Sequence, residues 1–293
     1  MAIKDYYRPQ TLEEAVTLLD RSPENTKILA GGTDLIIQMR LRETKPDYLL
    51  DLGGINYLKE VTIKDNCLII GSMATFNQLQ RDPAVLQYLP LLAEACASIG
   101  SPQIRSRATI GGNIANAAPA ADTLPALLAL DAQVRLQSKD GMRTAVLAQI
   151  LLDINKTDIK PTEILTEIII PLPEKDSCQA FQKIGRRKAM AIARLNLALL
   201  MTFYPNQLTI KEAKIALGAV GKTAYRVPIV EELLPERILD KGLIERASEL
   251  IERIVAEKLG TRPTAPYKKT IAKAALKRAM EQVLTARKEG AKQ

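Results

Sequence analysis

The sequence predicts an α+β protein with two domains, residues 1–173 and 174–293, the first of them in two parts. About the first 54 residues are typical of a strand–helix–strand unit, and the stretch from 55 to 173 mixes short strands with helices. The segment Pro171-Leu172-Pro173 interrupts this pattern, and three more strands and two long helices follow it. With 293 residues, 47% of them hydrophobic, the chain is long enough to bury a core in each domain.

The first part begins with a helix start signal. Thr11-Leu12-Glu13-Glu14 is a capping box, and the apolar residues after it recur at helical spacing. Residues 27–30 and 48–52 are short apolar strands, and a second helix is predicted between them, from Thr33 or Asp34 to about Arg40. Two strands joined by a helix predict a small parallel sheet.

The remaining elements are predicted from short apolar runs and from helical periodicity. In the second part of the first domain, strands are expected at 61–63, 67–71, 133–137 and 167–170, and helices at 76–81, 90–99 and 125–130. In the second domain, strands are expected at 180–185, 194–203 and 209–217, and helices at 240–258 and 267–287.

The composition excludes several kinds of chemistry. Histidine is absent, which removes Ser-His-Asp and Cys-His catalysis, histidine metal ligands and a flavin tethered through imidazole. Cys67, Cys96 and Cys178 are far apart and form no C-x-x-C pair, so neither a metal site nor an iron–sulfur cluster is expected within this chain. No apolar run reaches about 18 residues and the N-terminus has no signal core, so we expect a cytoplasmic protein without a membrane span.

The positive charge is concentrated near the C-terminus. Ten Lys or Arg and two Asp or Glu lie within 258–292, a surplus equal to the whole net charge of +8. Lys269, Lys273 and Lys277 recur there at helical spacing. Because no aromatic residues are interleaved for base stacking, a solvated helix face or a surface that docks an acidic partner is favoured over nucleic-acid binding.

The first of two glycine patches lies between the first predicted strand and the helix that follows it. A strand that ends in two glycines and enters a helix leaves several backbone N–H groups free, and this arrangement suits a phosphate group. An ordinary turn is the alternative, because the pattern is not the dinucleotide G-x-G-x-x-G. The patch consists of Ile28, Leu29, Ala30, Gly31, Gly32, Thr33, Asp34 and Leu35.

The second patch, residues 107–122, is nearly free of large side chains. It contains Thr109-Ile110-Gly111-Gly112-Asn113 and ends at Asp122. Small residues interspersed with hydroxyl and amide groups indicate backbone that lies directly on a polar ligand. A tight buried turn would have the same composition, so both interpretations stay open at this point.

Taken together, the patches resemble a known family. Ala-Gly-Gly-Thr-Asp-Leu at 30–35, followed about 80 residues later by Thr-Ile-Gly-Gly-Asn-Ile at 109–114, resembles the FAD-binding medium subunits of molybdenum hydroxylases of the xanthine, nicotinate and carbon monoxide dehydrogenase type. The resemblance includes residues 11–15 and 101–105. It extends closely to about Pro173 and more loosely beyond. It implies a two-part FAD-binding domain followed by a C-terminal domain with an antiparallel sheet and helices.

The resemblance also implies where FAD would bind. The first patch, Ile28 to Leu35, would hold the diphosphate. Thr109, Gly112 and Asn113, with Ile110 and Gly111 between them and Gly100 close by, would line the other side of the diphosphate and ribityl region. Asp122 would accept a hydrogen bond from the cofactor, Leu165 would be an apolar lining residue, and Lys183 would lie near the isoalloxazine ring.

The same resemblance implies an electron-transfer role without a catalytic acid or base in this chain. A molybdenum-binding large subunit would oxidise the substrate, and an iron–sulfur small subunit with [2Fe-2S] clusters would pass the electrons to this FAD. The flavin would then reduce NAD or another acceptor. Two alternatives stay open: a stand-alone flavin oxidoreductase, and a non-catalytic interaction subunit whose flavin site has decayed.

Overall fold

The first sheet of the protein is small and parallel. The structure is a computed structural model that describes residues 3–21, 23–187 and 190–290. Its strands are β1 (Asp5–Tyr7), β2 (Thr26–Leu29) and β3 (Tyr48–Asp51), in the order β1-β3-β2. Both pairings are parallel, as the strand–helix–strand pattern predicts for β2 and β3. Helix α1 (Leu12–Arg21) precedes β2, and α2 (Leu35–Arg40) connects β2 to β3.

The second sheet has five strands in the order β4-β5-β10-β6-β7, and all its pairings are antiparallel. A two-stranded ribbon, β8 and β9, lies apart from this sheet. The strands are β4 (Val61–Lys64), β5 (Cys67–Gly71), β6 (Gln133–Ser138), β7 (Gly141–Val146), β8 (Leu151–Asp153), β9 (Lys156–Thr157) and β10 (Ile164–Pro171).

Short helices surround this second sheet and share one large apolar core with it. Three short 3₁₀ turns lie at Pro23–Asn25, Leu52–Gly54 and Asn56–Lys59. The helices are α3 (Phe76–Leu79), α4 (Pro83–Tyr88), α5 (Pro90–Ala97), α6 (Pro102–Arg105), α7 (Ile110–Asn116), α8 (Thr123–Ala129) and α9 (Leu147–Ile150).

The third sheet is antiparallel, in the order β11-β12-β13-β14. Every residue of its second strand is buried, because alternate side chains enter two different cores. Leu197 and Leu199 pack in a core with the long C-terminal helices, whereas Ala198 and Leu200 join the core around α8. The elements are β11 (Ser177–Ile184), β12 (Leu195–Phe203), β13 (Ile210–Gly218), β14 (Tyr225–Arg226), α10 (Pro228–Glu231), α11 (Lys241–Leu259) and α12 (Ala265–Gly290).

The basic residues of α12 are in part bound within the chain. Lys273 and Lys277 both form ion pairs with Glu245 of α11, at 2.8 and 2.9 Å. Arg287 forms an ion pair with Asp176 at 2.7 Å. These three ion pairs tie α12 to its neighbours, and a solvated face or a surface that docks an acidic partner stays a prediction. Across the described ranges, no helix is long and apolar enough to cross a membrane.

Candidate functional site

The two glycine patches, about 80 residues apart in sequence, are in backbone contact. A Cβ added at Gly31 would lie 2.0 Å from the Arg107 carbonyl oxygen and 2.9 Å from the Ala108 Cα. Only glycine permits this approach. The turn after β2 therefore lies directly against the segment that leads into α7, and the two patches form one site.

The second patch begins a helix. Thr109 is the N-cap of α7, and its Oγ1 accepts a hydrogen bond from the Gly112 N–H at 3.1 Å. Gly111 packs on the end of β5, where its N–H donates to the Ser72 carbonyl at 2.9 Å. A Cβ at Gly111 would lie 2.6 Å from the Ser72 Cβ. Gly31 and Gly111 thus hold the site's walls together, and Gly32 and Gly112 are less crowded.

A cavity of about 250 Å³ lies between the two patches. Ser72 and Glu163, which the sequence did not single out, also line it; Glu163 is 6% exposed. Leu29 does not line the cavity, and Ile110 is fully buried in the core. The residues named from the sequence that do line it are Ile28, Ala30, Gly31, Gly32, Thr33, Asp34, Leu35, Thr109, Gly111, Gly112, Asn113 and Leu165.

The walls of this cavity fit a phosphate-bearing dinucleotide such as FAD. Within the part of the chain that the structure describes, the N–H groups of Gly32, Thr33 and Asp34 donate to no acceptor. Unpaired backbone donors at a glycine turn suit the oxygens of a diphosphate. The Ser72 hydroxyl oxygen is buried and also lacks a partner among the described residues.

A cluster of buried polar side chains joins the two domains. The Lys183 Nζ of β11 donates to Asp122 at 2.5 Å and to the Ser98 carbonyl at 2.9 Å. Asn196 of β12 donates to the other Asp122 oxygen at 3.0 Å. Burial raises the pKa of Asp122, and the ammonium of Lys183 acts in the opposite direction. Asp122 and Lys183 form a buried ion pair between segments 61 residues apart.

The cluster is connected to the second glycine patch. Thr123, which follows Asp122, donates from its hydroxyl to the Asn113 Oδ1 at 2.5 Å. Asn113 lines the cavity. A hydrogen-bonded chain therefore runs from the cavity wall through α8 to the sheet of the second domain.

A second cavity, of about 840 Å³, is lined in part by Lys183. Gly100 and Lys183, both predicted FAD residues, line this cavity and not the first one. No carboxylate of a described residue lines it. Arg105 donates to the carbonyls of Ile99 and Gly100. Its basic lining residues are Arg105, Lys183, Arg186, Arg187 and Arg278.

The fold and the glycine-walled cavity define a protein that binds a phosphate-bearing dinucleotide, and comparisons with known proteins show its family. Residues 1–173 match the FAD binding domain in molybdopterin dehydrogenase, and residues 179–283 match the CO dehydrogenase flavoprotein C-terminal domain. The chain belongs to this family of FAD-binding molybdopterin dehydrogenase subunits, and its cofactor is FAD.

Individual relatives match over almost their whole length. The chain is 30% identical to the nicotinate dehydrogenase FAD-subunit of Eubacterium barkeri, over 96% of each chain. It is 32% identical to the carbon monoxide dehydrogenase medium chain of Hydrogenophaga pseudoflava, over 94% of this chain and 95% of that one. A solved structure of carbon monoxide dehydrogenase from the same organism superposes with a TM-score of 0.90 at 31% identity, covering 98% of each chain.

These comparisons confirm the predicted α+β fold class and the predicted family. They also confirm FAD as the cofactor and the assignment to the oxidoreductases. The chain is thus an FAD-binding subunit of a molybdenum-hydroxylase type of complex.

Proposed function

We propose that this chain is the electron-transfer subunit of such a complex, with a molybdenum-binding large subunit and an iron–sulfur small subunit as partners. The residues of the two glycine patches would hold FAD, which would supply the redox chemistry between the iron–sulfur subunit and NAD or another acceptor. The observation that carries the proposal is the backbone contact between the two glycine patches, because it creates a cavity with unpaired N–H donors.

Different residues of the site would bind different parts of FAD. Gly32, Thr33 and Asp34 would bind the diphosphate through their backbone N–H groups, opposite Gly112 and Asn113. Asp122, whose two oxygens already accept from Lys183 and Asn196, would hold Asn113 in place through Thr123. Gly100 and Lys183 would lie at the flavin end. We place the domain boundary at residue 173, with the parts of the first domain at about 1–54 and 55–173.

The first prediction tests the division of labour between subunits. The purified chain is expected to bind one FAD non-covalently, and denaturation should release that FAD into solution. It is also expected to hydroxylate neither purines nor aromatic heterocycles, because the chain has no histidine and only three dispersed cysteines to hold a metal centre. The measurement is the absorbance spectrum, followed by an assay of the metal-free chain with xanthine, nicotinate and aldehydes and a dye acceptor.

Each alternative function has its own outcome in this experiment. A colourless chain that takes up no added FAD would indicate an interaction subunit with a decayed site. Steady hydroxylated product from the lone chain would indicate a stand-alone enzyme. Both outcomes contradict the proposal.

The acceptor is proposed to reach the flavin through the basic cavity. Four arginines and no carboxylate line it among the described residues, and planar guanidinium groups bind phosphates in bidentate geometry. A phosphate-bearing nucleotide such as NAD therefore fits this cavity better than an uncharged acceptor.

A charge reversal at Arg278 tests this route. Arg278→Glu is expected to raise the KM for NADH in flavin reduction by about tenfold to a hundredfold, because each charge-assisted phosphate contact contributes about 1.5–3 kcal/mol. The matched control is Lys288→Glu, which makes the same charge change on the same helix at an exposed residue outside the cavity. Equal KM values for the two variants would argue against this entry route.

A further inference from the structure

One wall of the first cavity presents a carboxylate and apolar side chains, whereas the glycine patches present backbone N–H groups. Glu163 and Leu165 both line it, with Ile164 between them buried in the core. Side chains two residues apart in extended backbone share one face, so Glu163 and Leu165 face the cavity together. Ile159 also lines the cavity. This wall combines one carboxylate with two apolar side chains.

Glu163 is held in a fixed geometry. The Arg143 guanidinium donates to it twice, from Nε to Oε1 at 2.6 Å and from the terminal nitrogen to Oε2 at 2.9 Å. The Lys160 N–H donates to Oε2 at 2.8 Å. Burial acts to raise the pKa of Glu163, but these donors lower it below the ordinary value, so the carboxylate is ionised at neutral pH.

The bonding of Glu163 is not complete. An ionised carboxylate has about four acceptor positions. The described residues use three of them: one on Oε1 and two on Oε2. A buried acceptor at a cavity wall calls for a ligand that donates a hydrogen bond there. A phosphate offers only acceptors and cannot satisfy this position, so phosphates belong with the N–H donors of the glycine patches.

We infer that Glu163 recognises the adenosine ribose of FAD, accepting a hydrogen bond from a ribose hydroxyl, with Ile159 and Leu165 packed against the adenine. The ribose carries hydroxyl donors next to an apolar ring, and this is the combination that the wall presents. The inference rests on the proposed FAD-binding function and adds which half of the dinucleotide this wall selects.

A ligand-side experiment tests the inference without altering the protein. The FAD-free full chain is titrated with FAD, and then ADP, 2′-deoxy-ADP and 3′-deoxy-ADP compete for the site. ADP is expected to compete. At least one deoxy analogue should bind about tenfold to a hundredfold more weakly, the usual effect of losing a hydrogen bond to a charged group. Equal affinities for all three analogues, or no competition by ADP while FAD binds, would overturn the role of Glu163. Neither outcome would overturn the proposed function.

Two variants assign the effect to Glu163. Glu163→Gln, which replaces the charged acceptor with a neutral amide, is expected to discriminate severalfold less between ADP and the deoxy analogues. Asp158→Asn, which alters the other and more exposed carboxylate partner of Arg143, should keep the discrimination. If Glu163→Gln does not fold, the analogue series on the unaltered chain still decides. Failure of FAD itself to bind would instead overturn the proposed function.

Discussion

Replacing Gly112 with valine is expected to abolish FAD binding while the chain keeps its fold. A Cβ at residue 112 would meet Thr109 Oγ1 at 3.0 Å and Ala30 Cβ at 3.7 Å, with no backbone atom outside its own helix among its nearest neighbours. The valine side chain would thus stand between the two patches, where the diphosphate is proposed to lie. Overpacking and lost hydrogen bonds together should reduce FAD affinity about a hundredfold or more.

Gly31→Val is the contrasting variant. Its Cβ would overlap the Arg107 backbone, so we expect this variant to lose the juxtaposition of the patches and to unfold more readily. FAD titration and circular dichroism separate the two effects. Full flavin occupancy in Gly112→Val would show that the diphosphate lies elsewhere.

Replacing Lys183 with methionine is expected to destabilise the protein by about 3–5 kcal/mol at neutral pH, the usual cost of leaving one charge of a buried pair unpartnered. The two side chains are only 14% and 8% exposed. The Asp122 carboxylate would keep Asn196 as a donor but would lose its counter-ion. Denaturant unfolding of the variant and of the unaltered chain gives the difference.

The loss of stability in Lys183→Met should be smaller at acidic pH than at alkaline pH. Burial already raises the pKa of Asp122 in the folded protein, and Lys183 opposes that rise. An acid whose folded pKa lies above its unfolded value loses stability as pH rises from the unfolded value through the folded one. Without Lys183 the folded pKa rises further and this window widens. Lys183→Met should therefore be closer to the unaltered chain in stability at pH 5 than at pH 8.

A double variant completes the test. Adding Asp122→Asn to Lys183→Met removes the uncompensated charge and should restore part of the stability at pH 8. The contrary result is that Lys183→Met lowers the stability equally at both pH values, with no recovery in the double variant. That result would mean that lost packing, and not the unpaired charge, causes the destabilisation.

The sequence predicts local features of this fold well, because apolar runs and start signals are local. Strands β5 and β12 and helix α11 follow their predicted ranges within a few residues. Strand β1, Asp-Tyr-Tyr, was not predicted because it is short and partly polar. Strand β7 was not predicted for a similar reason. Only Arg143 and Ala145 along it are partly buried, and the other residues are exposed to solvent.

The site was predictable only in part. The first patch could be found because paired glycines between an apolar strand and a helix form a local pattern that is visible in the sequence. Helix α7 was not predicted, because two glycines oppose helix formation and the stabilising cap at Thr109 depends on the fold. Ser72 and Glu163 give no sequence signal. Ser72 follows β5 and Glu163 precedes β10, and both reach the cavity because these two strands pair in the folded protein.

Helix α2 lies at the edge of the cofactor cavity and is poorly buried. No residue from 34 to 47 is buried, and Ile37 and Leu41 are more than half exposed. Yet Leu35 and Gln38 line the cofactor cavity. A segment with so little burial opens at low free-energy cost, so a protease that cuts after Arg40 or Arg42 can reach it readily. FAD bound in the cavity would contact Leu35 and Gln38 and so raise the free-energy cost of opening α2. We therefore expect bound FAD to slow cleavage of the chain at this segment.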